Sequence, residues 1–214
     1  MILESLRKEV CLANKALVEN KLVTWTSGNV SGRDLETGLI VVKPSGVDFQ
    51  ALNPQNMVVV DINGNVIEGD LKPSVDTETH LYVFKNKADI MSVVHTHSNF
   101  ATGFATLGKE IPCVLTAMCD EFGGSIPCVP YCQIGGNEIG KAIVDYADSS
   151  FAVLIQNHGV FTMGKSVNEA LKAAVMCEDV AKTVYIAKTL GEPLSIPEEE
   201  IKRAHKRYVD KYGQ

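Results

Sequence analysis

Apolar positions at helical spacing open the chain. Leu6, Val10, Ala13 and Leu17 recur at intervals of three or four residues, which predicts an amphipathic helix over residues 2–20. Similar stretches, bounded by proline, glycine or N-cap residues, predict further helices. The further predicted helices are a short helix that starts at Asn53-Pro54, a helix that begins within residues 73–80, and helices near 99–107, 137–147, 167–190 and 195–212.

Runs of β-forming residues between these helices predict strands. Asn63-Gly64, between two such runs, is the strongest short-range hairpin signal in the chain. Strands joined by hairpins and interspersed with helices predict an α/β fold, with a central, largely antiparallel sheet flanked by helices in a single domain over 1–214. The predicted strands are 39–43, 57–61, 66–68, the run within 89–98, 111–115, 151–157 and 160–163.

Two of the predicted strands end in histidine. His95 and His97 follow the apolar run 89–94, and His158 follows the run 151–157. Alternate side chains of a strand share a face and repeat every ~6.7 Å, so His95 and His97 point the same way. Three imidazoles at one sheet edge can bind a divalent metal. A bare His-x-His pair can equally be two hydrogen-bonded side chains, and the third histidine favours the metal site.

A carboxylate near this motif would complete a metal site with an open position. Asp76 is the candidate, because it lies near the start of the helix that precedes the His95 strand. The alternative role of Asp76 is compensation of the helix dipole alone. Ser74 is predicted to cap the same helix, and His80, one turn further along, is predicted to pack or hydrogen-bond.

Two turns of small residues precede the metal motif and suit a bound anion. Ser27-Gly28-Asn29 and Pro44-Ser45-Gly46 offer hydroxyl and backbone N–H donors, and Ser74 lies at a helix N-terminus. Lys43 can add a positive charge beside them. Each signal alone indicates only a turn, but together they predict a site for an anion.

The overall composition narrows the partners and the compartment. The net charge of −6 comes with no basic tract, so nucleic acid is not expected as a partner. Residues 1–9 are too charged for a signal peptide, and no run of about 18 apolar residues exists, which predicts a cytoplasmic protein with no membrane partner. The six cysteines form no C-x-x-C pair and are interpreted as buried reduced thiols rather than metal ligands, disulfides or nucleophiles.

Five motifs occur in a characteristic order along the chain: Thr26-Ser27-Gly28-Asn29-Val30-Ser31, Lys43-Pro44-Ser45-Gly46-Val47-Asp48, Lys72-Pro73-Ser74-Val75-Asp76-Thr77, His95-Thr96-His97-Ser98 and Asn157-His158-Gly159. The ordered set resembles the class II aldolase/epimerase family, most closely its L-ribulose-5-phosphate 4-epimerases, over nearly the whole chain. The resemblance implies the three-layer class II aldolase-like fold and a homotetramer whose active sites form between subunits.

The resemblance also assigns residues to the site. Its metal-site positions, for Zn²⁺ or another divalent ion such as Mn²⁺ or Co²⁺, are matched by Asp76, His95, His97 and His158. The substrate and phosphate residues are predicted to be Ser27, Gly28, Asn29, Lys43, Ser45, Gly46, Ser74 and Val75. Val75 stands where the epimerase motif commonly has a serine, so this position keeps its N–H but lacks the hydroxyl.

Catalytic acid/base roles follow from the same resemblance. Asp120 and Tyr212 match the two catalytic residues of the epimerases and would reach the metal of a neighbouring subunit. Thr116 and His205 are further candidates, although His205 is closer to Tyr212 in sequence than the family pattern. Without the resemblance, Asp120 is an acid in a predicted loop and Tyr212 a frayed chain end.

The implied substrate is a phosphorylated ketopentose. The implied reaction interconverts L-ribulose 5-phosphate and D-xylulose 5-phosphate by breaking and remaking the C3–C4 bond. The alternative is a class II aldolase such as L-fuculose-1-phosphate aldolase, which releases dihydroxyacetone phosphate and an aldehyde. Family aldolases usually have glutamate where this chain has Asp76, which favours the epimerase. A non-catalytic binding module, as in cytoskeletal relatives, is disfavoured by the intact set of metal ligands.

Overall fold

The computed structural model describes residues 1–146 and 150–211. Within them, eight strands form one sheet: β1 (Asn29–Arg33), β2 (Ile40–Val42), β3 (Val58–Val60), β4 (Val66–Glu68), β5 (Ser92–Thr96), β6 (Cys128–Val129), β7 (Ala152–Ile155) and β8 (Gly159–Gly164). Their order across the sheet is β4-β3-β2-β1-β5-β8-β7-β6. All neighbours are antiparallel except β6 and β7, which run parallel.

The same described residues contain seven α-helices and a short 3₁₀ helix at Phe49–Ala51. The α-helices are α1 (Glu4–Glu19), α2 (Thr77–Asn86), α3 (Asn99–Thr106), α4 (Thr116–Phe122), α5 (Glu138–Tyr146), α6 (Val167–Leu190) and α7 (Glu198–Lys211). Among these helices, none has the length and the apolar character needed to cross a membrane.

Alternation along the strands supplies a hydrophobic core on each face of the sheet. Val41 packs in the cluster that includes Val10 of α1 and Ala170 of α6. Its chain neighbours Ile40 and Val42 point the other way and pack with residues of α2 and α5. The period of two in a strand explains this division. A sheet between two layers of helices confirms the predicted α/β class with a largely antiparallel sheet.

The clearest sequence signals gave correct elements. Helix α6 spans the predicted residues 167–190 and ends at Gly191. The Asn63-Gly64 hairpin joins β3 to β4, with Gly64 at φ 89°, a conformation that glycine adopts at little cost. Glycine stops and glycine turns are therefore among the parts of this fold that local sequence determines.

The predicted helix at Asn53-Pro54 is wrong. Residues 54–56 form a turn, and the nearby 3₁₀ helix precedes them at Phe49–Ala51. The Asn53 side-chain oxygen accepts hydrogen bonds from the backbone N–H groups of Gln55 and Asn56, both at 3.0 Å. A capping side chain is thus present, but β3 follows at once and leaves no chain for a helix.

The region after α3 also departs from the prediction. Instead of a strand over 111–115, Ile111 makes a single antiparallel bridge with Ile126. The stretch predicted as a loop contains α4, which Gly123 ends with φ 69°, and the short strand β6. Both elements are too short for a periodic signal, and packing against α6 and α7 stabilises α4.

The six cysteines are free thiols, as the sequence predicts, but only four of them are buried as expected. Cys11, Cys113, Cys119 and Cys177 are buried, while the other two are half-buried. Burial raises the pKa of the Cys113 thiol to about 12, helped by contact with the Cys119 sulfur at 3.6 Å. The Cys113 thiol therefore remains protonated near neutral pH and acts as a small apolar side chain.

Candidate metal centre and anion pocket

Three histidines meet at one end of the sheet. His95 lies in β5, His97 follows that strand, and His158 lies in the turn between β7 and β8. Because β5 pairs with β8, this turn stands beside the end of β5. One ring nitrogen from each histidine lies within 4.8 Å of the other two. The cluster therefore has the size needed to hold one metal ion.

The turn that carries His158 depends on its two neighbours. Asn157 has φ 58°, in the left-handed region that asparagine tolerates better than most residues. At Gly159, a Cβ would lie 2.5 Å from the Thr96 carbonyl oxygen and 2.7 Å from His97 Cδ2. Only glycine fits there without a shift, so this Asn-His-Gly turn can approach β5 closely.

The imidazoles are held in the neutral form that metal ions need. Burial lowers the pKa of His95 to about 3 and also lowers the pKa values of His97 and His158. The Nδ1–H of His95 donates to the Val160 carbonyl oxygen at 3.0 Å, which leaves Nε2 as its free nitrogen. The Nδ1 atom of His158 is buried without a hydrogen-bond partner among the described residues. This donor set fits a divalent cation.

Asp76 stands beside the histidines. Its Oδ2 accepts a hydrogen bond of 2.7 Å from Asn29 Nδ2, and Asn29 is the residue of β1 paired with His95. Burial alone would raise the pKa of Asp76, but nearby His95 and His80 and the Asn29 hydrogen bond outweigh burial and lower it. Asp76 is therefore an ionised carboxylate at the edge of the cluster, and its role as a ligand stays a prediction.

The helix behind Asp76 begins later than the sequence predicts. α2 starts at Thr77, and Asp76 occupies the N-cap position without a side-chain capping bond. The prediction that Ser74 caps the helix is wrong, because its Oγ accepts instead from Asn29 Nδ2 at 3.1 Å. His80 packs and hydrogen-bonds as predicted, since its buried Nδ1 lies 2.7 Å from the Ser31 hydroxyl.

The histidines and Asp76 form part of a cavity of about 450 Å³. Lys43 lies in its wall, with Nζ 3.3 Å from the Pro44 carbonyl oxygen and 4.7 Å from the centre of the Phe49 ring. Burial lowers the pKa of Lys43, while the charges of Asp48 and Asp76 act to raise it. The remaining predicted pocket residues also line the cavity: Ser27, Gly28, Asn29, Ser45, Gly46, Ser74 and Val75.

Four further residues line the cavity without having been predicted: Thr24, Trp25, Thr26 and Ile134. Thr24 to Thr26 directly precede the Ser27 turn, so their position in the sequence was an available signal. Ile134 lies in a loop that follows β6, and no local pattern connects that loop with the histidines. Val75 is 83% exposed at the mouth and offers no hydroxyl.

The predicted catalytic residues lie elsewhere in the chain. Asp120 lies in α4, not in a loop, and its carboxylate is 3.2 Å from Arg207 of α7. The Asp120 backbone oxygen accepts a 2.9 Å hydrogen bond from His205 Nδ1–H. Neither Asp120, Thr116 nor His205 lines the cavity of its own chain. Tyr212 falls outside the described residues.

The fold and the site define a class: an α/β protein with a three-histidine cluster able to hold a metal ion, in the wall of a polar cavity. Residues 8–185 match the family described as Class II Aldolase and Adducin N-terminal domain. The chain therefore belongs to this family, which confirms the family resemblance in the sequence. Class II aldolases depend on divalent metals, and in this chain the histidine cluster has the donors to hold such an ion.

Solved structures agree with this family. An L-fuculose 1-phosphate aldolase is 31% identical, with a TM-score of 0.92 over 98% of both chains. YgbL from Escherichia coli, described without a decision among aldolase, epimerase and decarboxylase, is 27% identical, with a TM-score of 0.84 over 96% of this chain and 100% of that one. YgbL from Klebsiella pneumoniae, described in the same way, is 28% identical, with a TM-score of 0.82 over 95% and 99%. None of these names singles out the 4-epimerase.

Proposed function

We propose that the protein is a metal-dependent L-ribulose-5-phosphate 4-epimerase. The carrying observation is that Asp76 is the single carboxylate among the described residues that line the cavity, and that Asn29 holds it beside the histidines. If Asp76 binds the ion, no carboxylate of the described cavity remains free to move a proton at carbon. An epimerase that breaks and remakes one C–C bond needs no such proton.

The reaction suits these residues. The hydrogen on C4 of a ketopentose phosphate is not adjacent to the carbonyl, so simple enolisation cannot invert that centre. Breaking the C3–C4 bond, turning the aldehyde and rejoining it through the other face can. Zn²⁺, Mn²⁺ or Co²⁺ held by His95, His97, His158 and Asp76 would act as a Lewis acid towards the negative charge left on the dihydroxyacetone fragment, a stabilisation of several kcal/mol.

The anion pocket has a separate task, which is to retain the phosphorylated fragment between cleavage and recombination. Ser45 and Ser74 offer hydroxyls at the cavity wall, while the Ser27 hydroxyl already donates to the Thr24 carbonyl oxygen. Gly46 gives an anion free access to the backbone, with no atom near the place of a Cβ. Lys43 adds a buried positive charge. These donors support a phosphate as the bound group.

Proton transfer at the C4 oxygen is assigned to Asp120 and Tyr212 of a neighbouring subunit in a homotetramer. The position of Asp120 supports this assignment indirectly. Asp120 lies outside the cavity of its own chain. Its side chain is 25% exposed, so it is accessible to the cavity of a second copy of the chain. The proposal also includes a single domain over 1–214, supported by one sheet that α1 and α6 cover on one face. A cytoplasmic location is part of the same proposal.

A class II aldolase acting on a ketose 1-phosphate is the second candidate. It is favoured by the 31% identity and the TM-score of 0.92 to an L-fuculose 1-phosphate aldolase. Such an enzyme would release the aldehyde and protonate the remaining fragment. It would therefore need a group that transfers a proton to carbon. Among the described residues of the cavity, Asp76 is the single carboxylate that could do so, and only if it does not bind the ion.

The deciding experiment follows every product by NMR after the zinc-loaded protein is given L-ribulose 5-phosphate or, separately, L-fuculose 1-phosphate. Clean formation of D-xylulose 5-phosphate supports the epimerase. Dihydroxyacetone phosphate with lactaldehyde from the second substrate supports the aldolase and refutes the epimerase if the first substrate is untouched. A protein that binds no divalent metal would refute both.

A further inference from the structure

Trp25 is an unusual residue in this fold. Its φ of 56° lies in the left-handed region, and its side chain is 83% exposed. It is the second residue of a turn closed by Ser27, whose N–H and hydroxyl both donate to the Thr24 carbonyl oxygen, at 3.2 and 2.6 Å. Turns with positive φ at this position are dominated by glycine, asparagine and aspartate.

Nothing in the described fold offsets this choice of residue. A bulky side chain in the left-handed conformation costs free energy, and the exposed indole recovers little by packing. Residues held in unfavourable backbone conformations cluster at ligand clamps and active sites. The cost of Trp25 therefore points to a role that appears only when something is bound.

The surroundings of Trp25 show where this role lies. Trp25, Val75 and Ile134 all line the metal-site cavity, and they are 83%, 83% and 64% exposed. We call these three residues the apolar collar. Two of them adjoin polar residues that line the same cavity, since Trp25 is two residues from Ser27 and Val75 follows Ser74.

We propose that the apolar collar closes over the phosphorylated end of the bound substrate, with Trp25 as its principal residue. This inference rests on the proposed function, because it takes the anion pocket to hold a sugar phosphate. Closure buries apolar surface of the collar only in the bound state, so it slows escape of the phosphorylated fragment before recombination. Trp25 is thus a binding residue that touches substrate and takes no part in proton transfer.

The chain contains a single tryptophan, so its fluorescence reports on Trp25 alone. Inorganic phosphate is the probe, titrated into the metal-loaded protein while binding is measured in parallel by calorimetry. We expect emission to shift to shorter wavelength and acrylamide quenching to fall, with the same midpoint as the heat signal. Phosphate binding without a spectral change, or no phosphate binding at all, overturns the proposal.

A second copy of the chain could instead cover Trp25. In that case emission would already be at short wavelength without phosphate and would change as the protein is diluted, which also overturns the proposal.

As a location control, tryptophan is moved by the double substitution Trp25→Phe and Leu35→Trp. Leu35 is 75% exposed and follows the end of β1 that is away from Asn29. The fluorescence of a tryptophan placed there should not change when phosphate binds.

Substitution separates this role from a structural one. Trp25→Asn fits the left-handed backbone better, so its melting temperature should equal or exceed that of the parent, while the KM for the sugar phosphate rises about tenfold. Trp25→Phe should restore most of the affinity. A lower melting temperature with unchanged KM would mean that Trp25 serves the fold, and would refute the collar.

The two proposals can fail separately. An active parent whose Trp25 ignores phosphate removes the collar and leaves the enzyme assignment intact. A parent inactive on both sugar phosphates, but with a phosphate-linked shift at Trp25, removes the substrate assignment and keeps the collar.

Discussion

The histidine cluster and the α4–α7 corner contrast in how complete each is within one chain. His95, His97 and His158 converge within 4.8 Å in a cavity built by the strands and turns of a single subunit. Asp120 and His205 lie at the corner between α4 and α7, where they contact each other and Arg207 rather than that cavity. In the first region one chain supplies the whole histidine cluster, whereas the second region faces no cavity of its own chain.

This difference determines whether a function can be assigned to each region from one chain alone. Strand alternation and a glycine turn fix the histidines, so their grouping follows from the backbone. Asp120 acquires a function only if another subunit brings its cavity to the corner. The predictions below test this division, beginning with the largest expected effect.

His97→Asn should remove measurable turnover and lower the affinity for zinc by at least about 100-fold, because one imidazole of the cluster is lost. Zinc content after dialysis, measured by atomic emission, gives the result. His205→Asn is the matched control, since this histidine lies in the α4–α7 corner and its loss should leave the metal in place. Full zinc content in His97→Asn would exclude this histidine from the centre.

Asp120→Asn should lower turnover by about 10²- to 10⁴-fold, the usual contribution of a general acid or base. Metal content should be unchanged, because the carboxylate lies outside the cavity of its own chain. Steady-state rates with L-ribulose 5-phosphate and zinc analysis on the same preparation check both parts. Normal turnover would show that the corner takes no part in the chemistry.

Acid should destabilise the metal-free protein through its buried histidines. Burial lowers the pKa of His80 from 6.5 to about 4 and that of His95 from 6.5 to about 3. Below pH 6.5 these histidines bind protons in the unfolded chain but stay neutral in the folded chain. The free energy of unfolding therefore falls, for each of the two histidines, by about 1.4 kcal/mol for every pH unit.

Urea unfolding of the metal-free protein between pH 8 and pH 4 measures this slope. Above about pH 7, His80 and His95 should contribute no pH dependence to the free energy of unfolding. Between pH 7 and pH 4, that free energy should fall steadily. A chain carrying His80→Asn should show a shallower slope. The same slope in both proteins would mean that His80 is not held neutral by the fold.

Arg207→Ala should have the smallest effect, a loss of less than about 1 kcal/mol in the free energy of unfolding. Its ion pair with Asp120 is partly exposed, with Arg207 58% exposed, so solvent screens the attraction. Urea unfolding at 0.05 and 0.5 M salt gives the comparison. A loss of several kcal/mol would show that this pair holds α7 to the fold.

The sequence predicted well where its signal was local. The long helix α6 with its stop at Gly191, the Asn63-Gly64 hairpin and the alternate positions of His95 and His97 all became the expected structure. It predicted poorly where elements are short, as with α4 and β6, because a few residues carry no period and packing decides their conformation. Ile134 could not be found from sequence, since a distant loop brings it to the cavity.

By itself, the sequence determined the class of fold from its pattern of helix and strand signals, and the histidines able to bind a metal from their positions at strand ends. The family followed from the resemblance of its five ordered motifs. Only the tertiary structure decided that Ser74 faces Asn29 instead of capping α2, that Asp120 lies in a helix away from the cavity, and that Trp25 is at its mouth. The reason is physical. These outcomes depend on contacts between segments 45 or more residues apart, which no local pattern of hydrophobic and polar positions encodes.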